Sequence, residues 1–302
     1  MTTLLSARGL EVRYDGLTAL AGFDVDLREC LLTGLIGPDG AGKSTAIRAM
    51  CGLVKPHGGV IEIQGQQLKN ARRRLAGLVG YMPQRFSLYT DLTIDENIVF
   101  YARLHGIRLD RRRHADLLEK MGLERFGGRL AGKLSGGMKQ KLALLCVLVH
   151  EPRLIIMDEP TTGVDPVSRR EFWKILGELA AQGMSILVAT PYLDEAERCH
   201  EVLLMHEGAT ISRGEPDALV ALFDRPIFEI PAEDAFLLKQ RLEPLEWVRT
   251  VQVFGSHLHL TSEDAADTAR AVSSRLGLAG IEAGVADSQP TLEDVFIDSV
   301  MQ

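Results

Sequence analysis

Gly37-Pro38-Asp39-Gly40-Ala41-Gly42-Lys43-Ser44 decides the fold. It follows Leu31 to Ile36, an apolar run of strand length, and precedes Thr45 to Gly52, which reads as a helix. A glycine-rich turn between a strand and a helix presents backbone N–H groups that lack intrahelical partners and point at any anion placed there. The spacing Gly-x-x-x-x-Gly-Lys-Ser/Thr adds an ammonium and a hydroxyl to that cradle. Backbone N–H groups from Gly40 to Ser44 would hold phosphates, Lys43 would reach the β- and γ-phosphates, and the Ser44 hydroxyl would ligate Mg2+. The stretch predicts a nucleotide site on an α/β core.

Outward from the loop, strands and helices alternate. Val60 to Ile63 and Gly77 to Met82 read as strands, the second ending at Pro83-Gln84. Thr93 to Gly132 turns helical, with Ile94, Ile98, Tyr101 and Ala102, then Leu117, Leu118 and Met121, at helix spacing. A helix from Ser135, a strand over Leu154 to Met157, a helix over Pro166 to Ala181 and a strand over Ile186 to Ala189 follow. Such alternation implies a mostly parallel sheet, with the helical stretch inserted into it. Upstream, Leu10 to Tyr14 and Phe23 to Leu27 alternate as short strands, and Val202 to Ser212 reads as a closing hairpin. A boundary is expected near Gly214-Glu215-Pro216. Beyond it the order strand, helix, strand, strand, helix, strand (Ile227–Ile230, Ala235–Leu242, Val248–Phe254, Leu258–Leu260, Ala265–Leu276, Ile281–Val285), with a last helix from Leu292, predicts a ferredoxin-like unit.

Composition narrows the function classes. The 302 residues are 46% apolar and 25% charged, enough for one large domain and a small one. A net charge of -7 argues against a nucleic-acid partner, which needs a concentrated basic face. Cys30, Cys51, Cys146 and Cys199 show no Cys-x-x-Cys spacing and fit a reducing compartment. The longest apolar run, Leu142 to Val149, is far below the roughly 20 residues that span a bilayer, so a soluble chain is expected.

Two further motifs carry chemistry. Asp158 ends an apolar strand, where open α/β sheets place ligands, and is positioned to hold Mg2+, usually through water. Glu159 follows where strand alternation stops, so it can face the γ-phosphate as general base or polariser of the attacking water. Leu134-Ser135-Gly136-Gly137-Met138 is a second glycine-rich turn opening a helix, hence a second phosphate-binding helix start. It follows the helical insertion and cannot easily fold back over its own Lys43 loop. Two copies packed head to tail, each covering the other's nucleotide, solve this.

In order and spacing, residues 4–215 resemble the ATP-binding subunits of ABC transporters, and the Leu134–Gly137 signature is close to private to that family. The resemblance implies a P-loop NTPase core with an antiparallel β subdomain and a helical insertion at about 85–145, all within 1–215. A C-terminal α/β ferredoxin-like domain would occupy 216–302. It implies ATP and Mg2+ as ligands, with nucleotide contacts from Gly37, Pro38, Asp39, Gly40, Ala41, Gly42, Lys43, Ser44, Thr45 and Asp158. Tyr14 matches the aromatic that stacks on adenine. Gln84 matches the glutamine that senses Mg2+ and joins Lys43 and Glu159 in catalysis. Asp165 matches the aspartate that, beside Leu134, Ser135, Gly136 and Gly137, links the two sites across the dimer. A permease in the membrane and a second cassette, identical or different, are the implied partners, with the chain peripheral on the cytoplasmic face.

Residues 216–302, ending Thr291-Leu292-Glu293-Asp294-Val295-Phe296, resemble the extension of subunits that serve ABC-2-type exporters, multidrug systems included. Arg85-Phe86-Ser87-Leu88-Tyr89 and the insertion up to Gly132 are the expected docking surface for the permease. Lys141 stands where many relatives carry arginine. Pro191 stands where the family places a histidine that contacts the γ-phosphate, which questions the efficiency of hydrolysis. A regulatory cassette with little turnover and a soluble ABC ATPase outside transport are the alternatives. His257 and His259 share one strand face, but no third ligand is near in sequence, so no metal site is expected there.

Overall fold

Two long strands open the chain. β1 (Thr3–Tyr14) and β2 (Leu17–Arg28) pair antiparallel through the two-residue turn Asp15-Gly16, both at positive φ, the geometry that matches strand twist in tight hairpins. The structure, a computed structural model, describes residues 2–85 and 88–301. β3 (Leu32–Ile36) is buried at every residue, as a strand covered on both faces must be. It feeds the glycine-rich loop and α1 (Lys43–Met50). β4 (Gly58–Ile63) and β5 (Gln66–Gln67) then complete a four-stranded sheet in the order β2-β1-β4-β5.

The second sheet is laid down in pieces around the helices. In chain order come α2 (Leu68–Leu78), β6 (Val79–Met82), α3 (Ile94–Leu104), α4 (Arg111–Met121), α5 (Gly136–Leu148), β7 (Leu154–Asp158) and α6 (Pro166–Ala181). β8 (Ser185–Thr190), α7 (Leu193–Ala196), β9 (Glu201–His206) and β10 (Ala209–Gly214) close it. The strand order is β10-β9-β3-β8-β7-β6, and the five strands from β9 to β6 run parallel. α1 packs against strands of both sheets, and its Ile47 and Met50 join Leu5, Phe23, Ile63, Ile156 and Leu187 in one core. Full burial of such a side chain stabilises by about 1.5–3 kcal/mol. The loop before α1 is therefore anchored at both ends.

The first compact unit ends at Arg213 and the second begins at Gly214. The second contains α8 (Pro216–Ala221), β11 (Ile227–Pro231), α9 (Ala235–Leu242), β12 (Val248–Phe254), β13 (His257–Ser262), α10 (Ala269–Leu278), β14 (Ala286–Ser288) and α11 (Leu292–Met301). Its sheet is antiparallel throughout in the order β12-β13-β11-β14, the ferredoxin-like arrangement. Phe228, Ile230, Leu258 and Leu260 pack with Val272 and Leu276 of α10. Three details differ from expectation. Ile281–Val285 is not a strand: Ile281 is buried in the core, and pairing begins only at Ala286. Gly77 and Leu78 belong to the last turn of α2. The short helix α8 gave no periodic signal, being only six residues long.

Candidate functional site

The carboxyl ends of β3, β8, β7 and β6 bring the expected residues to one edge of the parallel sheet, the edge where such sheets bind ligands. Gly42 starts α1 at φ 103°, a left-handed conformation, and a Cβ there would lie 2.4 Å from the Ala19 carbonyl. Only glycine fits. No side chain caps this helix, so its first N–H groups remain available to an anion. The Lys43 ammonium donates to the Gly37 and Pro38 carbonyls at 2.8 and 3.0 Å. Lys43 is only 4% exposed, and burial pushes its pKa down against the opposing pull of Glu159, Asp39 and Asp158. A triphosphate would add further negative charge beside this buried ammonium.

Asp158 ends β7 with its Oδ1 accepting from the Ser44 hydroxyl at 2.9 Å. Its Oδ2 is buried with no hydrogen-bond partner among the described residues, and burial raises its pKa. An orphaned carboxylate oxygen beside a hydroxyl is a hard-oxygen donor set that suits Mg2+. Glu159 sits at φ 48°, and this left-handed backbone breaks the strand's alternation. Its carboxylate accepts from Gln84 Nε2 at 2.8 Å and from the Thr162 hydroxyl at 3.2 Å, and lies 3.9 Å from Lys43 Nζ. Lys43, Ser44, Gln84, Asp158 and Glu159 thus form one connected cluster.

Tyr14, the Leu134–Gly137 turn and Asp165 share no hydrogen bond or ion pair with that cluster among the described residues. Tyr14, at the end of β1, is 42% exposed. Ser135 caps α5, its hydroxyl accepting from the Met138 N–H at 3.3 Å, and Asp165 caps α6, accepting from the Val167 and Ser168 N–H groups. The Ser168 N–H holds the Asp165 carboxyl below the usual carboxylate range. Among the described residues, no hydrogen bond or ion pair joins Leu134–Gly137 to Gly37–Ser44. The two capped helices do meet each other: a Cβ on Gly137 would lie 2.4 Å from Ser168 Cβ.

One buried carboxylate gave no signal in the sequence. Glu195, 1% exposed, accepts from the Thr161 hydroxyl at 2.7 Å and the Thr190 hydroxyl at 2.6 Å, and pairs with Arg169 Nε at 2.9 Å. It ties the loop after Glu159 to the loop that carries Pro191. Arg169 also lies over the Tyr192 ring, 4.6 Å from its centroid.

The sequence profile described as "ABC transporter" matches residues 20–162. The Nod factor export ATP-binding protein I of Burkholderia thailandensis (strain ATCC 700388 / DSM 13276 / CCUG 48851 / CIP 106301 / E264) is 34% identical over 294 residues, covering 95% of this chain and 94% of that protein. The chain belongs to the ABC transporter family. The Probable multidrug ABC transporter ATP-binding protein YbhF of Escherichia coli (strain K12) is 43% identical over 301 residues of this family member. That match covers 98% of the present chain but 52% of the relative, so the chain spans about half the length of this multidrug relative. Among solved ABC structures, an ATP-binding subunit of an ABC transporter superposes with a TM-score of 0.64 at 32% identity, over 72% of this chain and 92% of the other. The cbiO1 protein from Clostridium perfringens, part of the ABC transporter complex cbiONQ, gives 0.65 at 28% identity, over 74% and 92%. These matches share the ABC ATPase fold described above.

Proposed function

We propose that this ABC family member binds and hydrolyses ATP between two cassettes packed head to tail, and so drives export through a separate ABC-2-type permease in the membrane. The observation that carries this reading is the reach of the similarity. The match to the Nod factor export protein covers 95% of the chain, and so runs past the 20–162 cassette profile into the second unit. In this reading Gly37 to Thr45 hold the phosphates of ATP, and Tyr14 stacks on adenine. Ser44 and Asp158 hold Mg2+, which when bound neutralises charge on the β- and γ-phosphates. Glu159 polarises the attacking water, and its bonds to Gln84 and Thr162 support an oriented rather than a mobile carboxylate. Leu134 to Gly137 and Asp165 face the nucleotide of the second cassette, and the lack of any hydrogen bond or ion pair between them and the Lys43 cluster among the described residues supports that arrangement.

No helix of the described residues is long and apolar enough to cross a membrane. In this reading the permease is a separate membrane protein, and the chain works peripherally on the cytoplasmic face. Tyr89, 45% exposed, packs edge-on against Phe100 of α3, and this aromatic pair supports the insertion as the docking side. Phe86 and Ser87, central to the expected docking segment, lie outside the described residues. Purification of the tagged chain from membranes tests the proposal: an ABC-2-type membrane subunit should accompany it, and recovery without any membrane protein would refute it.

A second reading, a cassette that closes on ATP but turns it over slowly, is favoured by one observation. Pro191, which follows the Thr190 held by Glu195 at the end of β8, has no side-chain donor for a γ-phosphate. A steady-state ATPase assay separates the two readings.

A further inference from the structure

The second unit carries a cluster that the ATPase reading does not use. β11 and β13 pair with Glu229 directly opposite His259, and β12 places Phe254 opposite His257. Residues two apart on a strand share a face, so His257, His259 and Glu229 lie on the side of the sheet away from Leu258 and Leu260. One ligand atom from each of the three lies within 4.8 Å of the others. Tetrahedral ligation with bonds of about 2.1 Å brings such atoms to about 3.4 Å apart, a closure within reach of small side-chain rotations. The absence of a third ligand, expected from sequence spacing, is corrected by Glu229: it comes from a strand 28 residues upstream, through sheet pairing.

Three observations point to a ligand rather than to incidental proximity. His259 is buried, and its Nδ1 faces the Asp294 carboxylate at 3.1 Å. Asp294 is itself fixed by the Thr291 N–H and hydroxyl at 2.8 and 2.7 Å. A histidine whose Nδ1–H is held by an oriented carboxylate offers its Nε2 lone pair, the arrangement that supports metal-ligating histidines from behind. The Glu229 carboxylate makes no hydrogen bond or ion pair with any described residue, although the residue is half-buried beside two imidazoles. The Phe254 ring, 4.3 Å from that of His259, walls one side against solvent.

We infer that Glu229, His257 and His259 form a binding site for a divalent transition-metal ion, with Zn2+ favoured. Two imidazoles and one carboxylate suit Zn2+ and its neighbours in the first transition row, and leave a fourth position for water or an outside ligand. Mg2+ and Ca2+ prefer all-oxygen shells, so the ion that serves ATP would not compete here. The site stands independently of the transport reading.

Equilibrium binding of Co2+ to the full chain, without nucleotide, tests it, with Asp158→Asn present throughout to remove the other carboxylate that could take the ion. One equivalent of Co2+ should bind, with visible ligand-field bands that Zn2+ abolishes. His257→Ala and Glu229→Gln should each weaken binding by at least about tenfold, and Asp294→Asn by about 10–100-fold through the loss of orientation. His257 is the first residue of β13 and not fully buried, so its substitution should leave metal-free melting unchanged. Added Zn2+ should raise the melting temperature of the parent chain and not that of His257→Ala. Absence of bound Co2+ in the parent, or equal binding in the parent and both ligand variants, would overturn the assignment.

Discussion

Glu159 adopts a backbone conformation that costs a non-glycine residue about 1–2 kcal/mol, and the cost is offset by where it puts the carboxylate. Glu159→Gln should keep ATP affinity, because Lys43, Ser44 and Asp158 are untouched. Turnover should fall by about 10²–10⁴-fold, the usual contribution of a general base. ADP release in a coupled assay beside nucleotide binding by fluorescence checks both halves; undiminished turnover would remove Glu159 from the role. The pair Asp158-Glu159 was legible because a carboxylate at the end of an apolar strand is a local pattern. The left-handed turn at Glu159 was not, since nothing in Asp158-Glu159-Pro160 marks it. Pro191 was legible as a departure, and the structure adds that Thr190 beside it is fixed by Glu195. A transition-state donor is worth about 3–4 kcal/mol. Pro191→His should recover only part of this, roughly a several-fold rise in steady-state ATPase rate, because the loop geometry was set around proline. A variant no faster than the parent would show that the loop cannot present the new imidazole.

At the scale of elements, the interior strands β3, β7 and β8 were readable from apolar runs, and the helices α5 and α6 from their alternation with those strands. β14 was not, because three paired residues leave no pattern. The packing between helices was also hidden. His150, just beyond α5, stacks on His105 at the end of α3 with ring centroids 4.1 Å apart, and its Nε2 lies 3.3 Å from the Val79 carbonyl. Burial, with His105 adding to it, pushes the His150 pKa below 6.5. The sign follows: above about pH 6.5 the ring is neutral folded or unfolded, and below it the unfolded chain takes up the proton first. Stability contributed by the neutral ring is present at higher pH and lost as pH falls through the folded pKa. His150→Phe keeps a flat ring against His105 and should reduce the loss of melting temperature between about pH 7.5 and about pH 5.5. Parallel melting curves for parent and variant would assign the acid sensitivity elsewhere.

At the scale of the whole molecule, residues carried by recognisable motifs met as expected however far apart in sequence, as Ser44 with Asp158, and residues joined only by sheet pairing or burial did not announce themselves. Glu195 with Thr161, and Glu229 with His259, are examples. The head-to-tail proposal belongs to this scale. Ser135→Arg, in a Glu159→Gln background, should leave the monomer's ATP affinity unchanged and abolish the ATP-dependent dimer on gel filtration. A normal dimer from that variant would refute the arrangement. The contact between Gly137 and Ser168 then has a mechanical consequence. With no room for a side chain between them, the first turn of α5 is seated directly against the first turn of α6, so Ser135 and Asp165 cap two helices whose starts touch. In the proposed transporter, a permease that moved one of these helix starts would move the other with it, so a signal would reach the neighbouring nucleotide as a single push.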